Sequence, residues 1–582
     1  MQGSSVPRAP VVLNDQQLAA AHSDAPLTVV LAGAGAGKTA GLVERLSYLV
    51  GDRGIPPDRI LALTFTRKAA GELRIRAAAK VGHTTAARMT ISTFDALAYR
   101  TVQAHPDWAG RRDGWSLWDE RQSMTAAQKC AREAGIAHVR GKKGTHSSIE
   151  DLLSHPPTRK RYEHLQRLDN ALDFRSLEAA FLGAIRDGRL SGLWDHLLVD
   201  EYQDTSPGQA TLVRSCPVAP ERTVVGDGRQ AIYAFRGAVP AEMQALLEDP
   251  SWTRFDVDRN YRSRPGIVAF GNAVLPQWPP CRPVRENGDG DQVEVWLSDR
   301  IPTFDSEVVR VADEIDRMVQ SGTPPGSVAI LARTWSWLDG YELELRRRRI
   351  PSYYNQRRSP FYTKGGQLLT MMLRLVVNPY DDLLAEEVAR AAGIGDEVIV
   401  AAVLGARRDR KTVSSALPPI EAAIRSASAA RGNALDAIET MRGLLRDETS
   451  LAIEAVRSWV DTRKSFGEDP GVQALVDEIA QGWVDPGAVE LRPNAVCLST
   501  AHSAKGLEWP IVVVVGAVDH VWPSDRAKDE TTKAEEQRVF YVAVTRAQDR
   551  LLICCPGTRP DFRGCHLPAK PSGLIPRAWR RS

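Results

Sequence analysis

The sequence predicts an α/β protein built on two parallel β-sheets, each interrupted by a mainly helical insertion. Two observations support this prediction. Short apolar runs that end in polar residues recur in both halves of the chain, and stretches with helical spacing separate them. Such runs are typical of the buried strands of parallel sheets, which present their functional residues at the carboxyl ends.

The first sheet is predicted from four apolar runs. They are LTVVLA at 27–32, ILALTFT at 60–66, HLLVDE at 196–201 and RTVVGD at 222–227. After the first run comes a turn rich in glycine and alanine, and then GLVERLSYLV, whose apolar residues recur at the spacing of one helix face. This segment therefore indicates a strand, a loop and a helix in that order.

Four further runs predict the second sheet: VAILAR at 328–333, VCLSTAH at 496–502, PIVVVVGA at 510–517 and DRLLICC at 549–555. A proline-rich segment at 276–291 is the best linker between the two halves. The predicted boundaries are 1–100 and 173–275 for the first sheet domain, 101–172 for its helical insertion, 276–385 and 490–556 for the second sheet domain, 386–489 for its helical insertion, and 557–582 for a basic C-terminal tail.

Composition is that of a soluble globular protein, with 43% hydrophobic and 25% charged residues. Lys and Arg (75) barely outnumber Asp and Glu (72), so net charge does not indicate a polyanion partner. The seven cysteines form no CxxC pair, which argues against a zinc module and a disulfide framework and fits a reducing compartment. Without a signal peptide or a spanning apolar run, we expect a cytoplasmic protein with no membrane partner.

The segment AGAGAGKT at 32–39 predicts a phosphate-binding loop, because it ends a strand and opens a helix. The residues expected to contact nucleotide are Ala34, Gly35, Ala36, Gly37, Lys38 and Thr39. Lys38 would reach the β- and γ-phosphates, and Thr39 would bind magnesium. Ala32 stands at the first glycine position of the usual pattern, so the loop alone also fits a glycine-rich turn with a surface lysine.

LLVDEYQD at 197–204 adds two acids at the end of an apolar strand. Asp200 is expected to hold Mg²⁺, directly or through water, and Glu201 to polarise the water that attacks the γ-phosphate. An isolated acidic turn would carry little information. Together with Lys38 it predicts an ATP-hydrolysing site.

Nine segments in order resemble the helicase motifs of the UvrD/Rep/PcrA family. They are LNDQQLAAA (13–21), AGAGAGKT (32–39), TFTRKAAGEL (64–73), STFDAL (92–97), VDEYQDTS (199–206), VGDGRQAIYAFRGA (225–238), RNYRS (259–263), STAHSAKGLEWPIV (499–512) and RVFYVAVTRAQDRL (538–551). The resemblance covers most of the chain. It implies two RecA-like doubly wound parallel-sheet motor domains and a superfamily one helicase, a DNA-dependent ATPase that moves 3′ to 5′ along single-stranded DNA.

The same resemblance implies roles in an ATP and Mg²⁺ site. Gln17 resembles the glutamine that reads adenine, and Tyr261 resembles the aromatic residue that stacks on the base. Glu508 is similar to a contact to the ribose or phosphate region. The γ-phosphate contacts of the family correspond to Gln230, Arg262 and Arg546. Arg546 would act as an arginine finger when the cleft closes.

The resemblance also implies a track for single-stranded DNA, on which aromatic side chains stack against bases. The residues at these positions are Phe65, Thr66, Thr93, Phe94, Tyr233, Phe235 and His502. Phe235 replaces the commoner tryptophan. Ala40 stands where relatives commonly have an arginine beside adenine, so Arg45 is an alternative, and Asp95 replaces a usual histidine.

The expected partners are single-stranded DNA and tailed duplex DNA, together with a nuclease or a repair protein. We expect the chain to be a monomer that can dimerise on DNA. The implied setting is DNA repair, replication or recombination. One alternative is the motor or DNA-sensing subunit of a nuclease-containing anti-phage defence complex. Because the chain has no evident nuclease motif, that nuclease would be a partner protein. A second alternative is a binding switch that uses ATP for assembly without moving on DNA.

Overall fold

The computed structural model describes residues 12–136, 148–215, 219–234, 239, 241–288, 291–355, 361, 363–409, 411–429, 433–441, 449–465, 470–480, 493–560 and 566–580. The chain folds into two compact units, the first made of residues 1–94, 190–357 and 489–582, and the second of residues 95–189 and 358–488. Across the described ranges, no helix has both the length and the apolar character that crossing a membrane requires.

The strands of the described residues are, in chain order, β1 (Leu27–Ala32), β2 (Ile60–Thr64), β3 (Thr90–Thr93), β4 (Ser116–Trp118), β5 (Ala171–Asp173), β6 (His196–Val199), β7 (Glu221–Gly226), β8 (Thr253–Val257), β9 (Arg259–Asn260), β10 (Arg282–Pro283), β11 (Val293–Trp296), β12 (Val328–Ala332), β13 (Ser352–Tyr354), β14 (Val496–Thr500), β15 (Trp509–Val514), β16 (Ala547–Cys554), β17 (Thr558–Pro560) and β18 (His566–Pro568). Each of the eight apolar runs singled out in the sequence overlaps one of these strands, and β7, β15 and β16 begin one or two residues before their runs. The predicted α/β class with two parallel sheets is confirmed.

The α-helices are α1 (Asp15–Ala21), α2 (Lys38–Gly51), α3 (Arg67–Val81), α4 (His83–Arg88), α5 (Phe94–Ala104), α6 (Glu120–Glu133), α7 (Ile149–Leu153), α8 (Pro156–Leu168), α9 (Phe174–Arg186), α10 (Pro207–Ser215), α11 (Ala241–Glu248), α12 (Pro265–Val274), α13 (Phe304–Gln320), α14 (Asp339–Arg347), α15 (Lys364–Val377), α16 (Asp382–Ala391), α17 (Asp396–Asp409), α18 (Pro418–Ala429), α19 (Ala434–Thr440), α20 (Ser450–Ser465), α21 (Val472–Ala480) and α22 (Glu530–Val544). Helices α6–α9 and α15–α21 belong to the second unit.

The first sheet has the strand order β3-β2-β6-β7-β1-β8, and all of its neighbouring strands are parallel. Every residue of β2 and β6 is buried, which agrees with their continuous apolar sequences. The carboxyl ends of β1, β6 and β7 lie at one edge of this sheet. That edge carries the phosphate loop, the acids after β6 and the polar segment after β7.

The second sheet lies in the same unit and has the order β11-β16-β15-β12-β14-β13, again with parallel neighbours. Its central strand β12 is fully buried between β14 and β15. Residues of both sheet domains share one apolar core, which includes Ala34 from the phosphate loop and Phe540 from α22. The unit therefore holds two doubly wound sheets joined by packing.

The second unit is mainly helical, with the short parallel pair β4–β5. In its interior the Asp381 carboxylate accepts hydrogen bonds from Ser116 Oγ (2.6 Å) and Trp118 Nε1 (3.1 Å). Helix α15 shares a hydrophobic core with α16–α21. The sequence pattern predicts that residues 364–385 belong to the second sheet domain, whereas α15 packs with the helices of the second unit. An apolar helix face indicates burial but does not identify the element that buries it.

A carboxyl group is buried within the second sheet domain. Glu307, on α13, is 0% exposed, and its Oε1 accepts a hydrogen bond of 2.8 Å from the Gly516 amide. Burial raises the pKa of Glu307 to about 8, above its ordinary value of 4.5. The folded protein therefore holds a proton that the unfolded chain releases between these pH values.

We expect the free energy of unfolding to fall as the pH rises from about 4.5 to about 8, with a contribution from Glu307 of up to roughly 1.4 kcal/mol per pH unit. Glu307→Gln should remove this contribution, since the amide does not titrate. Urea denaturation across this pH range measures it. Asp305→Asn, a change of an acid on the same helix that is 77% exposed, should keep the wild-type profile. Parallel profiles for wild type and Glu307→Gln would contradict the prediction.

Candidate functional site

The phosphate loop forms a tight turn between β1 and α2. Gly35 (φ +70°) and Gly37 (φ +73°) adopt the left-handed conformation that glycine enters at little cost. A Cβ atom on Gly35 would lie 2.8 Å from Arg262 Cβ, so this position also requires a close backbone approach. The free amides at the amino end of α2 favour an anion. The local structure therefore suits a phosphate group.

Lys38 opens α2 and faces the acids that follow β6. Its Nζ atom lies 3.0 Å from Glu201 Oε1 and 3.1 Å from Oε2. Glu201 has a φ of +53°, an unusual conformation for a residue with a side chain, and such conformations concentrate at functional sites. The Glu201 carboxylate also accepts a hydrogen bond from Gln203 Nε2. The backbone thus aims Glu201 towards the lysine of the phosphate loop.

Asp200 and Glu201 are neighbouring carboxyl groups with opposite pKa shifts. Burial, followed by the charge of Glu201, raises the pKa of Asp200. Burial would also raise the pKa of Glu201, but Lys38 and Lys505 outweigh this effect and lower it. Glu201 therefore carries the negative charge of the pair. Asp200, at 6% exposed, lies where an added cation would favour its ionised form.

A chain of polar contacts runs from Glu201 towards the second sheet. Gln203, which binds Glu201, accepts a 2.8 Å hydrogen bond from the Asp227 amide through Oε1. Gln230 Nε2 donates to Asp227 Oδ2 at 2.8 Å, and Arg546 Nη2 donates to Gln230 Oε1 at 3.1 Å. Lys38 and Arg546, predicted to share a cleft, are thus the two ends of one hydrogen-bonded network.

Arg546 lies just before β16 and is 1% exposed. It also donates hydrogen bonds to the carbonyl oxygens of Val542 (3.0 Å) and Leu507 (3.2 Å). Burial, reinforced by the nearby charge of Arg262, lowers the pKa of Arg546 to about 9. An anion in the cleft would therefore stabilise the charged form of Arg546.

Arg262 and Glu508, both predicted to contact ATP, contact each other. Arg262 Nε lies 2.6 Å from Glu508 Oε2, and Arg262 Nη1 donates to the Thr545 carbonyl at 3.2 Å. Gln548 Nε2 donates to the second oxygen of Glu508 at 3.0 Å. The pair joins the segment after β9 to the segment before β15. Both side chains thus lie in the region between the two sheets.

Gln17 and Tyr261 both contact the backbone of the phosphate loop, at Ala36 and Gly35 respectively. Gln17 Nε2 donates to the Ala36 carbonyl at 2.9 Å, and its Oε1 accepts from the Asn14 amide at 2.8 Å within the capping box of α1. Asn14 Nδ2 donates to the Tyr261 hydroxyl at 2.6 Å, and Tyr261 remains 38% exposed. Arg45 is 1% exposed and donates to the carbonyls of Ala21 and Ser23. The adenine contacts of Gln17, Tyr261 and Arg45 stay predictions.

Lys505 belongs to the site and was missed by the sequence reasoning. Its Nζ forms an ion pair with Asp204 and donates to the Gln230 carbonyl at 2.7 Å. Burial raises the pKa of Asp204 to about 6, although Lys505 opposes this shift. Both residues lie in segments that resemble helicase motifs, Lys505 in STAHSAKGLEWPIV and Asp204 in VDEYQDTS, and this position could have indicated that they belong to the site.

Three of the residues predicted to bind DNA lie close together. The rings of Phe65 and Tyr233 are stacked with centroids 4.9 Å apart, and Lys505 Nζ lies 5.0 Å from the Tyr233 centroid. The Tyr233 hydroxyl donates to the His502 carbonyl at 3.4 Å. Residues from both sheets therefore meet at this aromatic pair.

The other four residues predicted to bind DNA are Thr66, Thr93, Phe94 and Phe235. Thr66 is exposed and caps α3, where its hydroxyl oxygen accepts a hydrogen bond from the Ala69 amide. Thr93 and Phe94 are each 6% exposed, which gives them a packing role in this structure. Phe235 lies outside the described residues. For all four, DNA binding stays a prediction.

Comparison with known proteins gives matches along most of the chain. The UvrD/REP helicase N-terminal domain matches residues 13–157 and 154–251, and the UvrD-like helicase C-terminal domain matches residues 446–556. ATP-dependent DNA helicase UvrD1 of Mycobacterium tuberculosis (strain ATCC 25618 / H37Rv) is 29% identical, over 93% of this chain and 82% of the relative. ATP-dependent DNA helicase PcrA of Leuconostoc citreum is 26% identical, over 93% and 81%. ATP-dependent DNA helicase UvrD2 of Mycobacterium bovis (strain ATCC BAA-935 / AF2122/97) is 28% identical, over 97% and 82%.

Proposed function

The chain belongs to the UvrD/REP family of ATP-dependent DNA helicases, and from this premise we propose that it moves 3′ to 5′ along single-stranded DNA and separates tailed duplexes in DNA repair, replication or recombination. The observation that carries the proposal is the hydrogen-bonded network from Lys38 to Arg546. A triphosphate at the phosphate loop would lie among charged side chains from both sheets. Contacts of this kind can couple hydrolysis to movement between the two sheet domains.

In this proposal the amides of residues 34–37 and the Lys38 ammonium bind the phosphates of ATP, while Gln17 and Tyr261 bind adenine. The left-handed glycines and the helix amino end support the first assignment. The Tyr261 amide donates to the Gly35 carbonyl at 2.9 Å, which keeps the partly exposed ring beside the loop. This location supports the second.

Asp200 and Thr39 would hold Mg²⁺, which supplies positive charge to the phosphate oxygens when bound. Their carboxylate and hydroxyl oxygens suit this ion, and the raised pKa of Asp200 indicates that the site favours added positive charge. Glu201 would orient water and accept its proton. In this scheme the ATP phosphates give Lys38 a second anionic partner, and the Glu201 carboxylate then becomes available to the water.

The γ-phosphate would attract Gln230, Arg262 and Arg546, so that Arg262 exchanges Glu508 for phosphate and the cleft closes. Loss of the γ-phosphate would reverse these contacts. Tyr233 follows Gln230 by three residues, and its ring stacks on Phe65. This short connection supports the proposal that binding and loss of the γ-phosphate change the contacts of Tyr233 and Phe65 with DNA.

Lys38→Ala tests the proposal. We expect wild type to show ATPase activity stimulated by single-stranded DNA and to unwind 3′-tailed duplexes in preference to 5′-tailed ones. The variant should lose at least about 100-fold in ATPase rate, because one charged contact to the transferring group is gone. Lys80→Ala, which removes a lysine on α3 with 47% side-chain exposure, serves as the matched control. Equal unwinding of both tails would refute the polarity, and DNA-stimulated hydrolysis by Lys38→Ala would refute the site.

A further inference from the structure

A short turn after β12 carries two tryptophans in opposite environments. Trp337 is 6% exposed and packs so closely on Gly516 that a Cβ atom there would lie 2.3 Å from its ring. Trp335, two residues earlier in the same turn, is 38% exposed. An aromatic ring that stays partly exposed on a fixed turn can stack against a flat ligand such as a base. Trp337 therefore anchors the turn that exposes Trp335.

The turn is also fixed from its amino side. Arg333 binds Glu536 through two nitrogens, with Nε 3.0 Å from Oε2 and Nη2 2.5 Å from Oε1. Glu536 is 6% exposed and also accepts a 3.0 Å hydrogen bond from the Ser524 amide. A bidentate pair of this kind restrains geometry. The exposure of Trp335 is thus a property of a well-anchored turn.

Trp335 has an aromatic neighbour at the carboxyl edge of the second sheet. The Tyr354 ring lies edge-on to it, with centroids 5.9 Å apart and an interplanar angle of 64°. The Tyr354 hydroxyl donates to Asp339 Oδ1 at 3.1 Å, which fixes the ring. An aromatic pair in this arrangement stabilises the orientation of both rings. Tyr354 therefore supports Trp335 from one side.

Backbone and side-chain contacts connect this aromatic pair to the loop that carries His502. The Ala501 amide donates to the Ala332 carbonyl at 3.0 Å, so the ends of β12 and β14 are adjacent. Asn355 Nδ2, next to Tyr354, donates to the Ser503 carbonyl at 2.8 Å. The Tyr233 hydroxyl binds the His502 carbonyl from the side of the first sheet.

We propose that Trp335, supported by Tyr354, stacks on a base of single-stranded DNA and continues the aromatic track of Phe65 and Tyr233 across the second sheet. The occupant is single-stranded DNA, because the pair lies on the same edge as the His502 loop, which Tyr233 contacts. A rigid, partly exposed aromatic ring can accept any base, as a motor without sequence preference requires. The inference rests on the proposed function.

The test compares the affinity of the full chain for oligo(dT) and for an oligomer of the same length with abasic sugars, by fluorescence anisotropy of the labelled strand. Trp335→Ala should weaken oligo(dT) binding about tenfold, within the range of one base stack, and leave the abasic affinity within about twofold. Trp335→Phe should keep most of the affinity, since it retains a ring. Leu343→Ala, a change of a 63% exposed apolar residue on the nearby α14, should match wild type.

Two results would overturn the assignment of Trp335. One is wild-type oligo(dT) affinity in Trp335→Ala, and the other is an equal loss on both strands, which would indicate a backbone contact or a folding defect. Thermal melting and the Trp335→Phe variant separate a folding defect from a lost stack. Failure of the wild-type chain to bind either strand would instead defeat the proposed function itself.

Discussion

Glu201→Gln is expected to lower kcat for ATP hydrolysis by about 10²- to 10⁴-fold, because the amide cannot accept the proton of the attacking water. The substitution keeps the size of the side chain and its position beside Lys38 and Gln203. ATP binding should therefore be retained. Turnover at saturating single-stranded DNA, together with binding of a fluorescent ATP analogue, measures the two effects separately.

The matched control for this prediction is Glu44→Gln. Glu44 lies on α2, whose amino end carries Lys38, and pairs with Lys80 and His22. Its partners lie outside the network that joins Lys38 to Arg546, so its substitution should leave kcat close to that of wild type. Normal turnover in Glu201→Gln would exclude Glu201 as the proton acceptor. Loss of nucleotide binding in that variant would point to an electrostatic role in binding ATP.

Arg546→Ala is expected to lower kcat by about 10³- to 10⁵-fold, the range associated with an arginine finger in phosphoryl transfer. KM for ATP should change much less, because the contact is proposed to form as the cleft closes. Steady-state ATPase kinetics measure this difference. Arg546 also holds the carbonyls of Leu507 and Val542, so melting temperature must be followed in parallel.

Arg546→Lys keeps this prediction testable if the alanine variant is unstable. Lysine preserves the charge but lacks the planar fork, so it cannot reproduce the contacts to Gln230 and to both carbonyls. We expect an intermediate kcat. Arg550→Ala, which breaks an ion pair to Glu294 within the same sheet domain, should affect stability more than turnover. A wild-type kcat in both Arg546 variants would show that the arginine takes no part in hydrolysis.

Much of the site could be predicted because its residues follow buried strands. Asp200 and Glu201 come directly after β6, and the phosphate loop comes directly after β1. Parallel strands bring such positions to one edge of a sheet, so apolar runs in the sequence were sufficient to group them. The resemblance to helicase motifs then predicted that Arg262 and Arg546 belong to the same site, although they lie far apart along the chain.

The partners of individual side chains could not be predicted in the same way. Lys505 was overlooked because a single lysine in a motif does not reveal that Asp204 lies opposite it. Nothing in the local pattern around Trp335 indicates that one tryptophan of the turn is buried and the other exposed. Such facts depend on packing between elements that are far apart in sequence.

By itself the sequence determined the two parallel sheets, the eight strands named from apolar runs and the family to which the chain belongs. These features depend on local periodicity and on ordered motifs, both of which can be read along the chain. Only the tertiary structure decided that Arg262 pairs with Glu508, that Arg546 reaches Gln230 and that α15 packs in the helical unit. The reason is physical: sheet order and side-chain packing bring together residues that are far apart in sequence, and their distance in space cannot be predicted from that separation.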